Sequence, residues 1–208
     1  MAQFNFVSNK LSVDFIGDFV YNTLSLEGRS VSREEVNKVI NGERIEEKHQ
    51  ILITNSLNGI NYILNLLEIE SSFDENKLKD LHEIIMNNIA IGGLYRNVDI
   101  SIKGSNHTPP SYLKVYDRMK KYFDALDEEY QDKLEKVAFS HLQLAKIHPF
   151  LDGNGRLARL VLLYELLLNG FKPVIIKIEQ KEEYFNMLEE FKVNKNINPF
   201  IEFLKANQ

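Results

Sequence analysis

Ile147-His148-Pro149-Phe150-Leu151-Asp152-Gly153-Asn154-Gly155-Arg156-Leu157-Ala158-Arg159-Leu160 places a base, a carboxylate, a flexible turn and two arginines in one short run. Pro149 cannot continue a helix, so the helix before it ends near Ile147. Gly153-Asn154-Gly155 is a turn whose torsions few other residues tolerate. Leu157, Leu160, Val161, Tyr164 and Leu168 then recur at helical spacing, so a second helix follows the turn. The start of that helix offers backbone N–H groups and the positive end of its dipole, a setting suited to a polyphosphate. Arg156 and Arg159 lie three residues apart on one face. Positive charge in a first turn opposes the dipole, a local cost that a bound anion would offset.

The residue types divide the labour. His148 is the one group in the run that accepts a proton near neutral pH. Asp152 is a hard oxygen ligand suited to a magnesium ion that also holds phosphate oxygens. Gly153, Asn154 and Gly155 can hydrogen-bond phosphate through their amides, and Arg156 and Arg159 can grip its far end. Base, metal ligand and phosphate cradle point to transfer of a phosphorus-containing group to a hydroxyl.

Taken together, these residues resemble the signature of the Fic family, H-x-F-x-(D/E)-G-N-G-R-x-x-R, with every specified position present: His148, Phe150, Asp152, Gly153, Asn154, Gly155, Arg156 and Arg159. The resemblance implies an all-α Fic fold, a helical bundle with a β-hairpin flap over the active site. It also implies a protein adenylyltransferase that moves AMP from ATP, with Mg2+, to a serine, threonine or tyrosine hydroxyl of a target protein, itself included. In that reading His148 takes the hydroxyl proton, Asp152 holds the metal, and the cradle stabilises departing pyrophosphate. Two alternatives use the same site: a nucleotide-responsive regulatory protein with vestigial transfer, and removal of AMP from a modified protein.

Composition sets the outer bounds. The chain has 208 residues, enough for one full core, and a net charge of −5, which gives no global attraction to nucleic acid. It has no cysteine, so thiolate metal sites and disulfides are excluded and a reducing cytoplasm is expected. No signal peptide is visible, and the most apolar run, Leu160 to Leu168, is too short to span a bilayer and contains Glu165. The partners expected are therefore ATP and a protein target, not nucleic acid or a membrane.

Upstream, an amphipathic helix is expected from Leu11 to Leu26, with Leu11, Phe15 and Phe19 in one row and Ile16, Val20 and Thr23 in another. Extending the second row by four reaches Glu27, a carboxylate at a helix end that disfavours it. Gly28 suits the helix stop. Thr23-Leu24-Ser25-Leu26-Glu27-Gly28 resembles the inhibitory motif of Fic proteins, (S/T)-x-x-x-E-(G/N). The resemblance implies that Glu27, supported by Thr23, pairs with Arg159 and holds activity down, in the manner of relatives with an N-terminal inhibitory helix. Residues 1–30 are thus expected to form the inhibitory region and 31–208 the Fic domain. Ser32-Arg33-Glu34-Glu35 is a capping box that starts the next helix, through Ile40. Further helices are expected at 46–67 and, capped by Asp74, at 74–89, with His49 and His82 on the surface.

Gly92-Gly93 breaks the pattern, and the period changes. Val98, Ile100 and Ile102 alternate with Asn97, Asp99, Ser101 and Lys103, which predicts a strand over 95–103. The run G-L-Y-R through H-T-P-P resembles the Fic flap, which implies that Val98, Asp99, Ile100, Ser101 and Ile102 pair with the target's backbone as an added strand. His107 is expected to be a loop residue outside catalysis. Helices are predicted at 111–126 and 130–146, with His141 in the second and buried near the site rather than binding metal. Asn169-Gly170 closes the signature helix. Residues 173–178 are extended, a helix runs from 181 to 191, and Asn198-Pro199 starts a last helix to Leu204. Tyr184 is either a core tyrosine or, as the resemblance implies, a residue near the adenine.

Overall fold

Several helices start on a short polar side chain, and the first closes on a glycine. The computed structural model describes residues 3–8 and 10–208. Ser12 caps α1 (Val13–Leu26) by accepting the Phe15 N–H at 3.1 Å. The helix closes on Gly28 at φ +72°, where Gly28 N–H donates to Ser25 O and Arg29 N–H to Leu24 O. That reciprocal pair is the Schellman arrangement, and only a residue at ease with positive φ makes it cheaply. The expected capping box starts α2 (Arg33–Ile40): Ser32 Oγ accepts from Glu35 N–H, and Glu35 Oε2 accepts from Ser32 N–H. Next come α3 (Glu47–Glu68) and α4 (Glu75–Met86), the latter capped by Asp74. α4 ends three residues before the expected Ile89, because Asn88 adopts φ +56° and turns the chain.

Contacts divide the chain into two units. The first comprises the residues up to Gly93 together with 175–179. In it α1 packs on α2 and α3, and α3 on α4. The packing thus divides at Gly93 and not near residue 30, since α1 shares a core with its successors through Ile16, Val20, Leu24, Val36 and Ile53. His82, read from sequence as a surface residue, is buried and accepts the Gly93 N–H on Nδ1 at 3.0 Å. His49 is half-buried and pairs with Glu35 at 2.7 Å.

The second unit comprises 94–174 and 180–208. A 3-10 turn at Tyr112–Lys114 leads into α5 (Val115–Leu126). Then come α6 (Lys133–Ile147), capped by Asp132, and α7 (Asn154–Leu168). α8 (Lys181–Glu189) runs into a single π turn, Glu190–Asn194, and α9 (Asn198–Ala206) carries Pro199 in its first turn. α6 is the axis of this unit, packing against α5, α7, α8 and α9. Its central position explains why Val137, Ala138, Leu142 and Leu144 are fully buried on several sides. Truncating such a residue, as in Leu142→Ala, costs about 2–5 kcal/mol by cavity formation. The carboxyl of Glu165 in α7 is also buried, which raises its pKa, while Asn169 Nδ2 donates to Oε2 at 3.3 Å.

The strand predicted over 95–103 does not form, and no strand is present among the described residues. The alternation of Val98, Ile100 and Ile102 is real, but a strand needs a ladder partner and none lies alongside. Val98 is 48% exposed, and the segment runs irregularly from Leu94 to Ser111. No helix of the described residues is long and apolar enough to cross a membrane.

Candidate active site

The signature occupies the joint between α6 and α7. His148 is the C-cap of α6, with its N–H donating to Leu144 O at 3.0 Å and a left-handed backbone, φ 52°, ψ 62°. Histidine is among the few non-glycine types that enter this region with any frequency, at a cost of order 1 kcal/mol. Its ring Nδ1 lies 3.4 Å from Ala145 O. A carbonyl only accepts, so Nδ1 carries the proton in this weak contact and Nε2 is the basic nitrogen. The side chain is half-buried at the mouth of the loop.

The loop is closed by Asn154. Its Oδ1 accepts the Phe150 N–H at 2.9 Å, and its Nδ2 donates to Phe150 O at 2.9 Å. Phe150 is thereby anchored by both backbone groups, and its ring packs on Tyr95 with centroids 5.2 Å apart. The side chain of Asn154 is thus a clasp for the loop, and what remains for a phosphate is its backbone amide. Gly153 is the N-cap of α7 at φ +77°, and its N–H donates to Asp152 Oδ1 at 2.7 Å. The N–H groups of the first turn, on Asn154, Gly155 and Arg156, project from the N-terminal end of α7. Backbone donors at a helix start are of the kind that suits a phosphate.

Arg156 is only 1% exposed and Arg159 only 4%. Arg156 Nη2 lies 3.7 Å from Asp152 Oδ2, while the Asp152 side chain is half exposed. Two buried guanidiniums beside a helix N-terminus concentrate positive potential there, which favours a polyanion. Asp152 offers a single carboxylate, and no group of three or more His, Cys, Asp or Glu among the described residues could hold a metal. That donor set suits magnesium, which binds through one or two carboxylates, substrate phosphates and water, and does not suit a closed protein cage.

Behind the loop, His141 is fully buried on α6. Nδ1 donates to Ala158 O at 2.9 Å, and Nε2 accepts from the Tyr184 hydroxyl at 3.0 Å. Its ring stacks on Phe200, with centroids 4.9 Å apart. Burial pushes its pKa down to about 4, the hydrogen bond it donates to Ala158 O opposing and the charge of Arg159 assisting. His141 is buried and hydrogen-bonded, as the sequence reading expected, and is neutral in one tautomer that ties α6 to α7 and α8. Tyr184 is 1% exposed with its hydroxyl engaged by His141, so the structure places it in the core.

Sequence reasoning missed Arg96. Its Nε donates to His148 O at 3.0 Å, Nη1 to Val98 O at 3.0 Å and Nη2 to Pro110 O, and its backbone N–H donates to Pro149 O at 2.9 Å. Nothing in the local pattern marks it, because an arginine in an aperiodic stretch reads as a solvated side chain. The residues proposed for target contact lie just beyond it: Val98, Asp99 and Ser101 are exposed, and Ile100 and Ile102 half-buried. The end of this segment is fixed by Glu189, which accepts from the Ser105 hydroxyl and the Asn106 N–H, and by His107, whose Nε2 donates to Lys146 O at 3.1 Å. In the first unit, Thr23 is buried on α1 and Glu27 is its half-buried C-cap.

Residues 72–166 match the Fic/DOC family model. Among curated proteins, the chain is 28% identical over 200 residues to protein adenylyltransferase fic-1 of Caenorhabditis elegans, covering 89% of this chain and 38% of that protein. It is likewise 28% identical over 195 residues to protein adenylyltransferase Fic of Nematostella vectensis, covering 89% and 45%. The chain therefore spans less than half the length of these relatives. Among solved structures, a Fic domain containing signaling protein from Bacteroides thetaiotaomicron superimposes with a TM-score of 0.82 at 24% identity, over 93% of this chain and 82% of that one. Fic-1 from C. elegans does so with a TM-score of 0.78 at 23% identity, over 96% and 64%. The helical architecture is the Fic fold, and the signature at the joint between α6 and α7 lies within the stretch that matches the Fic/DOC family model.

Proposed function

We propose that this chain is a protein adenylyltransferase, transferring AMP from ATP to a side-chain hydroxyl of a target protein. The observation that carries the reading is the placing of His148 at the end of α6, one short loop before a helix N-terminus flanked by the buried Arg156 and Arg159. The 28% identity to curated proteins named protein adenylyltransferase supports it. The hydroxyl oxygen attacks the α-phosphorus, the bond from that phosphorus to the pyrophosphate oxygen breaks, and the hydroxyl proton passes to Nε2 of His148. Backbone amides at the start of α7 and the two guanidiniums bind and orient the phosphates, so the leaving charge develops where positive potential is already fixed. Asp152 is the residue that would hold magnesium, which when bound neutralises phosphate charge.

Intact mass analysis after incubation with labelled ATP tests this, using the chain itself and lysate proteins as acceptors. The adduct expected is AMP, and His148→Ala should lower its rate by ~10²–10⁴-fold with ATP affinity nearly kept. Nucleotide binding without any adduct would overturn the transfer reading. Asp152→Ala should lose activity together with its magnesium response.

We further propose that Glu27 restrains transfer, as the motif Thr23 to Gly28 suggests. Its place at the C-terminal end of α1, where negative charge is unfavourable, supports the reading. Glu27→Gly should raise the initial rate by roughly 30- to 150-fold, the scale of a coupling free energy of ~2–3 kcal/mol. Thr23→Ala should act in the same direction more weakly, and Glu34→Gly should leave the rate unchanged.

A further inference from the structure

We infer that Arg96 is the positioning residue that holds the His148 loop and the 94–111 segment in one geometry. Its side chain is wholly excluded from solvent. Three nitrogens of its guanidinium reach three separated carbonyls, on His148, Val98 and Pro110, while its own N–H takes Pro149 O. A planar fork with donors in fixed directions can do this, and a lysine, a single point of charge, cannot. The nearest carboxylate in an ion pair, Asp99, stands 3.8 Å from Nη1 and mostly in solvent. The buried cation is therefore satisfied chiefly by backbone carbonyls, which makes its geometry matter more than its charge. Asp99 turns its other contact to the segment, accepting Tyr112 N–H at 2.7 Å.

The two carbonyls that follow the His148 and Pro149 α-carbons are both held from Arg96. These bonds fix the ψ torsions of the left-handed histidine and of the proline after it. Proline has no N–H with which to hold its own peptide, so the restraint has to come from outside the loop. If ψ of His148 relaxes, the imidazole leaves its place at the start of α7. A shift of about 1 Å in a reacting group is enough to cost on the order of 10²-fold in rate. The same bonds tether Val98, so the segment offered to a target and the base that would deprotonate it move together.

The catalytic part of this inference rests on the AMP-transfer reading; the coupling of the two stretches does not. The experiment has two arms on the full chain. In the first, hydrogen exchange followed by mass spectrometry compares the parent with Arg96→Gln and Arg96→Lys. Peptides covering 97–111 and 147–153 should lose protection together, while those from α3 and α4 stay unchanged. Loss confined to 97–111, no loss at 147–153, or uniform loss throughout would each overturn the inference. In the second arm, steady-state AMP transfer by Arg96→Lys should show kcat lowered on the order of 10²-fold and a raised KM for the protein target, with KM for ATP within about twofold. An unchanged kcat, or a change confined to KM for ATP, would overturn the catalytic part. A parent enzyme that yields no AMP adduct would overturn the transfer reading and the catalytic part with it, and the exchange arm would still decide the coupling.

Discussion

From Ile147 to Arg159 the backbone is fixed several times over, whereas from Leu94 to Ser111 it is held at separate points with no regular structure between them. The first stretch has a helix at each end, a left-handed histidine, a left-handed glycine and the two-bond clasp from Asn154 to Phe150. The second has no regular structure, exposed side chains at about half its positions, and attachments at Arg96, Asp99 and the turn at 105–107. The transfer proposed above requires donors and base in fixed places, and redundant bonding of the loop would meet that need. A surface that accepts varied proteins gains from the opposite property, because backbone groups left without a ladder remain available to a partner. The difference suggests that rigidity and permissiveness have been separated into neighbouring stretches joined at Tyr95 and Arg96.

The comparison can be broken first at Asn154. Asn154→Ala strands the buried N–H and carbonyl of Phe150, at about 2 kcal/mol for each group. A loss of about 4 kcal/mol in denaturant unfolding is expected, and AMP transfer should fall with it even where the protein remains folded. A loss below 1 kcal/mol would mean that the clasp is one redundant bond among many.

His141 provides the next test. Its folded pKa of about 4 lies below the ordinary 6.5, so the folded state resists the proton that the unfolded chain accepts. The neutral pairing contributes fully above pH 6.5 and is lost as pH falls from there towards 4, up to about 3 kcal/mol. Urea curves at pH 7 and pH 4.5 measure the slope, and His141→Asn should flatten it. An identical slope in the variant would assign the acid sensitivity to carboxylates elsewhere.

Smaller effects are expected at Gly153 and in the exposed segment. At φ +77°, Gly153→Ala pays a backbone cost of about 1–2 kcal/mol, read as a lowered Tm, with transfer reduced as the start of α7 shifts. Ile100→Pro should change stability by less than 1 kcal/mol, because no ladder bond is removed. It should leave ATP affinity alone and still impair modification of a protein target. Equal loss of ATP binding and target modification would make the segment scaffold, and the contrast between the two stretches would fail.

Most of the helices could be read from sequence because their ends are written locally. Ser12, Ser32 and Asp74 cap as their types predict, and Gly28 and Gly170 take the left-handed turns that close α1 and α7. The site was legible for a similar reason: base, carboxylate, turn and arginines lie within one contiguous run. What could not be read depends on partners distant in sequence. The bonds of Arg96 to residues 110 and 148, and the burial of His82 against Gly93, leave no periodic trace. The alternation at 97–103 misled for the complementary reason. Period two describes where side chains point, whereas a strand is made by what lies beside it.

α6 also acts as a gauge of length. His141 is pinned by Ala158, Tyr184 and Phe200, and His148 follows seven residues later at the end of the same helix. An α-helix advances about 1.5 Å and turns about 100° per residue. One residue added or removed between the two histidines would swing His148 by that angle while the helix itself remained well formed. The same change placed before His141 could be absorbed at the Asp132 end, where the chain meets loop. The interval between the two histidines therefore admits no change of length, and only Gln143 and Lys146 within it lie outside the buried core.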